Sequence, residues 1–251
     1  MSAGTRFLIL AAPRTGSNLL CTLLNSHPEV LCHHELFNPN RIFYALEYRD
    51  GSLDLASMEE RDREPFSFLQ RVWDHPQGAS CVGLKMTRGQ DATVMQGLIE
   101  DSGVLKILLY RRNRLKTFVS EQLARQTDQW EVYAGDELVT DTPRLRVDID
   151  SLKAHSDLNK RFYEDVRRLL QTKQQPFIEM FYENIFSRSE HVRMLEFLGV
   201  EATRIELVHA SVKQNDSDLR SLIENFQMLE VALEGSEYQL SLIHISEPTR
   251  R

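Results

Sequence analysis

Two rhythms of apolar residues alternate along the chain. Short continuous apolar runs at 6–12 (RFLILAA), 80–86 (SCVGLKM), 104–110 (VLKILLY) and 176–182 (PFIEMFY) have the length and content of buried strands. Helix-compatible spacing fills 19–26, 64–74, 89–101, 113–128 and 150–172. Two later stretches, 187–200 and 217–233, place leucine and valine on one face and predict surface helices. Strands alternating with helices predict an α/β fold: a mainly parallel sheet covered by helices on both faces. Residues 131–149 are charged and poorly periodic, and are broken by Gly135 and Pro143. They predict an exposed excursion able to close over a substrate, or an idle surface loop.

Length and composition narrow this picture. At 251 residues with 41% hydrophobic content, the chain fits one domain, taken as 1–240. The tail SLIHISEPTRR (241–251) breaks the preceding pattern and resembles translated vector sequence, a non-native end. A net charge of −7 argues against a nucleic-acid partner, so any anion site must be local. Cys21, Cys32 and Cys81 form neither an even set nor a CxxC pair, which favours a reducing compartment and shows no metal framework. The run 7–12 is too short for a signal-peptide core or a membrane span, and the expectation is a cytoplasmic enzyme without membrane segments. Nothing in the pattern fixes an oligomeric state.

Between the first strand and the first helix stands AAPRTGSNLL (11–20). A turn of this kind gathers backbone N–H groups and the positive end of a helix dipole at one point, where an anion binds. Gly16 permits close approach, Arg14 supplies charge, and Thr15, Ser17 and Asn18 add donors after Pro13. The loop lacks GxxxxGK[ST], so the lysine and Mg²⁺-binding hydroxyl of an NTPase are out of place. The alternative is a helix cap closed by Ser17 or Asn18.

A second basic segment follows the 104–110 strand. In RRNRLKTFVSEQLA (111–124), cations at 111, 112, 114 and 116 crowd a helix start. The dipole disfavours cations there unless an anion joins them. Arg112 and Ser120 stand about two helical turns apart and can serve one anion, at the same sheet edge as the first loop. Two anion sites on one edge suggest one ligand with two phosphate-like ends.

With both motifs in view, the sequence resembles the sulfotransferase superfamily. It is most similar to the bacterial branch with nodulation-factor and lipopolysaccharide-type carbohydrate sulfotransferases. The resemblance runs to about residue 239 and includes HPEV…HELF (27–37), GLKM (83–86), PFIEMFYENIF (176–186), FLGV (197–200) and IENF…LEGSEY (223–238). It implies a P-loop-like three-layer sandwich. It also implies 3'-phosphoadenosine 5'-phosphosulfate (PAPS) as co-substrate without a metal, and a hydroxyl-bearing small molecule or glycan as acceptor. Residues 13–18 would form the 5'-phosphosulfate loop, Arg112 and Ser120 the 3'-phosphate motif, and Glu35 the general base. Arg14 stands where many relatives have lysine, and Asn113-Arg114 where an aspartate- or asparagine-proline pair is usual.

Sulfuryl transfer to a hydroxyl needs a proton acceptor beside the loop. Glu35 in LCHHELFNP (31–39) is first choice, His34 and His33 second. Lys85 can reach the sulfuryl oxygens, and Trp130, Phe37 or Tyr44 can stack on adenine or a sugar. Two other readings stay open: an ATP-dependent phosphotransferase of the P-loop class, and a nucleotide-binding protein without chemistry.

Overall fold

The computed structural model describes residues 4–133, 135–137, 143–211 and 218–239. The tail at 241–251, read as non-native from the sequence, lies outside them. Five strands form one sheet: β1 (Thr5–Ala11), β2 (Val30–His33), β3 (Cys81–Thr87), β4 (Val104–Tyr110) and β5 (Phe177–Phe181). Their order is β2-β3-β1-β4-β5, and every pair is parallel. The four long apolar runs are thus strands. β2 escaped the sequence pattern because its four residues border one neighbour only and end in two histidines, too short a run to show a period.

Side-chain alternation along β1 builds the two covering layers. Leu8 and Leu10 pack with α3 (Pro65–Asp74), α4 (Ala92–Glu100) and α6 (Ile149–Thr172), through Phe68, Val94, Leu98 and Tyr163 among others. Phe7, Ile9 and Ala11 face the opposite side, where α1 (Ser17–Asn25) and α7 (Arg188–Leu198) supply Leu20, Leu24, Met194 and Leu198. Both faces of the sheet are dry, which explains strands that read as unbroken apolar runs. Helix α2 (Met58–Arg63) is closed by a reciprocal capping box between Ser57 and Glu60.

One expectation is corrected. The 217–233 stretch is two helices, α8 (Leu219–Leu222) and α9 (Phe226–Ala232). The break occurs because Leu145 N–H donates to Leu222 O at 2.8 Å and Leu145 O accepts from Glu224 N–H at 2.9 Å, taking backbone groups that a continuous helix would use. The described part of 131–149 is mostly exposed, as expected, but it is anchored. Leu145 and Val147 join a third core with α5 (Arg114–Thr127), α8 and α9, and Val132 is buried. Apolar residues spaced irregularly found partners that no local period announces. No helix among the described residues is long and apolar enough to cross a membrane.

Candidate active site

The chain leaves β1 between β3 and β4, at the carboxyl edge of the sheet where parallel α/β folds bind ligands. Residues 13–16 then turn sharply into α1. Arg14 (φ 61°) and Gly16 (φ 91°) both take left-handed backbone conformations, uncommon for a non-glycine and a mark of functional turns. A Cβ at Gly16 would lie 2.4 Å from Cδ2 of Tyr182, so glycine is required by close packing as well as by φ. The loop is pinned from beneath: Ala12 N–H donates to Tyr163 Oη at 2.7 Å, and Tyr163 Oη donates to Leu109 O at 2.6 Å. The helix N-cap falls on Gly16, so neither Ser17 nor Asn18 is consumed as the cap.

Pro13, Arg14, Gly16, Ser17 and Asn18 line a cavity of about 490 Å³. Thr15 does not. Its hydroxyl turns inward and donates to Ala12 O at 2.8 Å, so it braces the turn and offers no side-chain donor to a ligand. The cavity walls carry Arg14, Lys85, Arg88, Arg111 and Lys116 against the carboxylates Glu35 and Glu131. In a chain of net charge −7, this is a local cationic basin suited to a polyanion. The Arg14 guanidinium is pushed down to about 10, first by burial and then by Arg111.

Helix α5 supplies the second anion motif only in part. Ser120 lines the cavity and accepts from Arg14 Nε at 2.9 Å. Arg112 does not line it: the side chain is exposed, with its guanidinium 4.2 Å from the centre of the Phe181 ring. Consecutive residues leaving β4 point to opposite faces of the sheet, and the neighbour, Arg111, takes the cavity side.

Glu35 follows β2 and faces the loop from the β3 side. Its Oε1 accepts from Lys85 Nζ at 2.8 Å and its Oε2 from Asn38 Nδ2 at 2.7 Å. Lys85 also reaches Asn18 Oδ1, and Ser17 Oγ at 3.4 Å, tying the carboxylate to the anion loop. Burial raises the Glu35 pKa, yet Lys85, Asn38 and Arg49 outweigh it and the net shift is downward. His34 lines the same cavity, with Nδ1 3.3 Å from Tyr133 Oη. Burial, Lys85, Arg49 and His33 hold it well below the ordinary histidine range. His33 is outside the cavity lining; its Nδ1 accepts from Ala45 N–H at 3.2 Å, a brace for the chain after β2.

Among the three aromatic candidates, Trp130 lines the cavity and is 42% exposed, whereas Phe37 and Tyr44 are core residues. Sequence reasoning missed Arg49, Glu131 and Tyr133. Glu131 pairs with Arg49, accepts from Tyr133 Oη at 2.8 Å and from Asn18 Nδ2 at 3.3 Å. Arg49 lies between the rings of Phe43 and Tyr133. No local motif marks this group, because its members come from segments more than 80 positions apart. Among the described residues, no three His, Cys, Asp or Glu side chains gather as metal ligands.

No family model matches the chain. Nodulation protein H of Rhizobium tropici is 27% identical to it over 238 residues, covering 92% of this chain and 90% of that protein. Nodulation protein H of Rhizobium meliloti strain 1021 is 27% identical over 237 residues, covering 92% of each. Both nodulation proteins are thus similar to the chain over nearly the full length of each. A solved sulfotransferase from Alicyclobacillus acidocaldarius aligns over 94% of each chain at 13% identity, with a TM-score of 0.46.

Lys85 sets the ionisation of Glu35, and that coupling is measurable. In Lys85→Met the burial of Glu35 stands without its main counter-charge, so its pKa rises. The acid limb of kcat/KM, which reports the free enzyme, is expected to move to higher pH than in the parent, where the lowered pKa keeps Glu35 ionised through neutrality. A pH profile with an unmoved acid limb would show that Glu35 does not govern it.

Proposed function

We propose that this chain is a PAPS-dependent sulfotransferase acting on a carbohydrate hydroxyl, with Glu35 as general base and the 13–18 loop holding the 5'-phosphosulfate. The observation that carries this reading is one cavity in which a buried carboxylate, Glu35, faces a cation-lined anion nest across Lys85. In the transfer, the acceptor hydroxyl loses its proton to Glu35 while its oxygen bonds to sulfur. The bond from sulfur to the bridging phosphate oxygen breaks, and the negative charge left on that phosphate meets Arg14 and the backbone donors at Gly16 and Ser17. Lys85 stands between the two partners and is placed to stabilise the sulfuryl oxygens.

Glu35 ranks above His34 as base because Lys85 ties its carboxylate to the anion loop, whereas His34 Nδ1 faces Tyr133 Oη. Asn38, Asn40, Glu131, Phe43, Tyr133 and Trp130 form the remaining wall. Amides and carboxylates that pair with hydroxyls, beside rings that cover apolar sugar faces, support a glycan or glycolipid acceptor. The three cysteines are free and buried, which supports a reducing, cytoplasmic setting. We read 1–240 as one sulfotransferase domain and 241–251 as foreign to it.

The deciding assay follows labelled sulfate from PAPS to mono- and oligosaccharides, glycolipids, phenols and peptides, with EDTA in excess. Transfer to a sugar hydroxyl that persists in EDTA is expected, since the charge on the leaving phosphate is met by Arg14 and N–H donors. Labelling of phenols or peptides alone would overturn the acceptor class. Phosphate transfer from ATP, restored by Mg²⁺, would overturn the whole reading.

A further inference from the structure

We propose that Arg88 and Gln90, in the turn that leaves β3, form a subsite for a carboxylate on the acceptor, so that the acceptor is an acidic sugar. The proposal rests on the carbohydrate reading above and names the class of sugar.

The turn holds both side chains in place and leaves their donors unused. Thr87 N–H donates to Gln90 Oε1 at 3.2 Å, Gln90 N–H donates to Thr87 O at 3.1 Å, and Arg88 N–H donates to Ala11 O at 2.9 Å. A backbone N–H can only donate, so the Gln90 amide has one orientation, with Oε1 engaged and Nε2 left over. That Nε2 is buried and meets no partner among the described residues. Arg88 is anchored from α6: its Nε donates at 2.7 Å to Oδ1 of Asn159, a residue 1% exposed. Among the described residues, its Nη1 and Nη2 groups pair with no carboxylate, carbonyl or ring. Other cations of the cavity are engaged, Arg14 with Ser120, Lys85 with Glu35 and Arg111 with Arg14 O. Arg88 and Gln90 both line the cavity.

A buried donor without an acceptor, two positions from a guanidinium without a counter-charge, is an incomplete hydrogen-bond set. A carboxylate completes it. Its two oxygens match the planar arginine fork and keep acceptor sites for the glutamine amide. The carboxylates already in the cavity do not oppose a third, because Glu35 is paired with Lys85 and Glu131 with Arg49.

The place of the turn in the sheet assigns this subsite to the acceptor. β3 lies between β2 and β1, whereas β4, which leads into α5, lies on the other side of β1. Along β3, Val82, Leu84 and Met86 face the layer of α6. Arg88 is next in that alternation and is held there by Asn159, whereas the anion loop leads into α1 on the opposite face. A donor that fills the loop and runs towards β4 leaves Arg88 to the acceptor, whose hydroxyl meets Glu35 after β2.

The test saturates the parent and Arg88→Gln with adenosine 3',5'-bisphosphate, so that the donor contacts are filled. Methyl β-D-glucuronoside and methyl β-D-glucoside, which differ only in a carboxylate for a hydroxymethyl group, are then titrated and followed by ligand-observed NMR. The parent is expected to bind the glucuronoside about tenfold or more tightly, the usual range for a charge-assisted contact. Arg88→Gln should bring the two sugars within about twofold of each other, with bisphosphate affinity within about threefold of the parent, as a cation outside the donor contacts adds only a screened field. Should Arg88→Gln not fold, Gln90→Glu keeps the acceptor for Thr87 N–H, puts an oxygen in place of Nε2 and carries the same expectation. The proposal is overturned if the parent shows no preference for the glucuronoside or if the variant keeps it. It is equally overturned if Arg88→Gln weakens the bisphosphate as much as the glucuronoside, which would give the cation to the donor. A parent that does not bind the bisphosphate sinks the donor reading instead, and the same two sugars titrated into the free protein then decide the subsite.

Discussion

Glu35→Gln is expected to fold, to bind adenosine 3',5'-bisphosphate as the parent does, and to lose roughly a hundredfold or more in kcat. Glutamine keeps an oxygen to accept from Lys85 Nζ, and its amide N–H can donate to Asn38 once the Asn38 amide turns its oxygen towards it, so the packing around β2 is kept. What disappears is an ionised oxygen able to receive the acceptor proton as the O–S bond forms. The loss should fall on kcat more than on donor affinity, because the carboxylate contacts the acceptor end of the cavity. His34→Ala serves as the comparison and should be milder, its imidazole facing Tyr133 Oη and not the Lys85 link to the anion loop. Unchanged turnover in Glu35→Gln would remove the base assignment, and a larger loss in His34→Ala would transfer it.

The linkage between Glu35 and Lys85 has a further sign that can be checked in the same variant. A carboxylate whose folded pKa is depressed contributes stability above its unfolded pKa and loses it as pH falls through the folded value. Glu35 is of this type. Any stabilisation from the pair is therefore present at neutral pH and disappears in acid, and in Glu35→Gln that part of the acid dependence should vanish.

Gly16→Ala is expected to weaken donor binding roughly tenfold or more and to destabilise the fold by about 1–3 kcal/mol, the range for a non-glycine held in a left-handed conformation. Two independent costs meet at this position. The backbone stands at φ 91°, and the added carbon would sit 2.4 Å and 2.8 Å from Cδ2 and Cε2 of Tyr182. The Arg111 guanidinium lies 4.3 Å from the centre of the same ring, so the ring cannot move aside without disturbing that contact. The strain should therefore be relieved by shifting the loop, which carries the donor ligands with it. Gly51 is the control. Its φ is 91°, but it lies outside the cavity lining and nothing lies within 4 Å of a Cβ added there, so alanine at 51 bears the backbone strain alone. Urea midpoints and calorimetric affinities for the two variants separate the two costs; equal donor affinity in Gly16→Ala and the parent would show that the loop does not need this close approach.

Much of the architecture was legible in the residues because it rests on local chemistry. Apolar runs such as Thr5–Ala11 and Val104–Tyr110 are long enough to declare a strand wet on neither face. The turn at 13–18 declares itself through residue types that a strand-to-helix anion loop brings together at that spacing. Glu35 and Ser120 were placed by resemblance, and both line the cavity. β2 was not legible, since four residues with one neighbour give no period. Neither was the break at 223–225, where Leu145 and Val147 compete for backbone and Asn225 groups from 78 positions away.

The class of fold and the anion loop could both be read before any coordinates, because each depends on composition and spacing within a short window. Which members of those motifs face the ligand is a matter of packing in space. Thr15 turns its hydroxyl inward to Ala12, and Arg111 replaces Arg112 at the cavity because adjacent residues at a strand end point to opposite faces. The wall of Arg49, Glu131 and Tyr133 likewise exists only in three dimensions. Charges distant in sequence lower their energy by meeting in a half-buried cleft, and no one-dimensional pattern records that meeting.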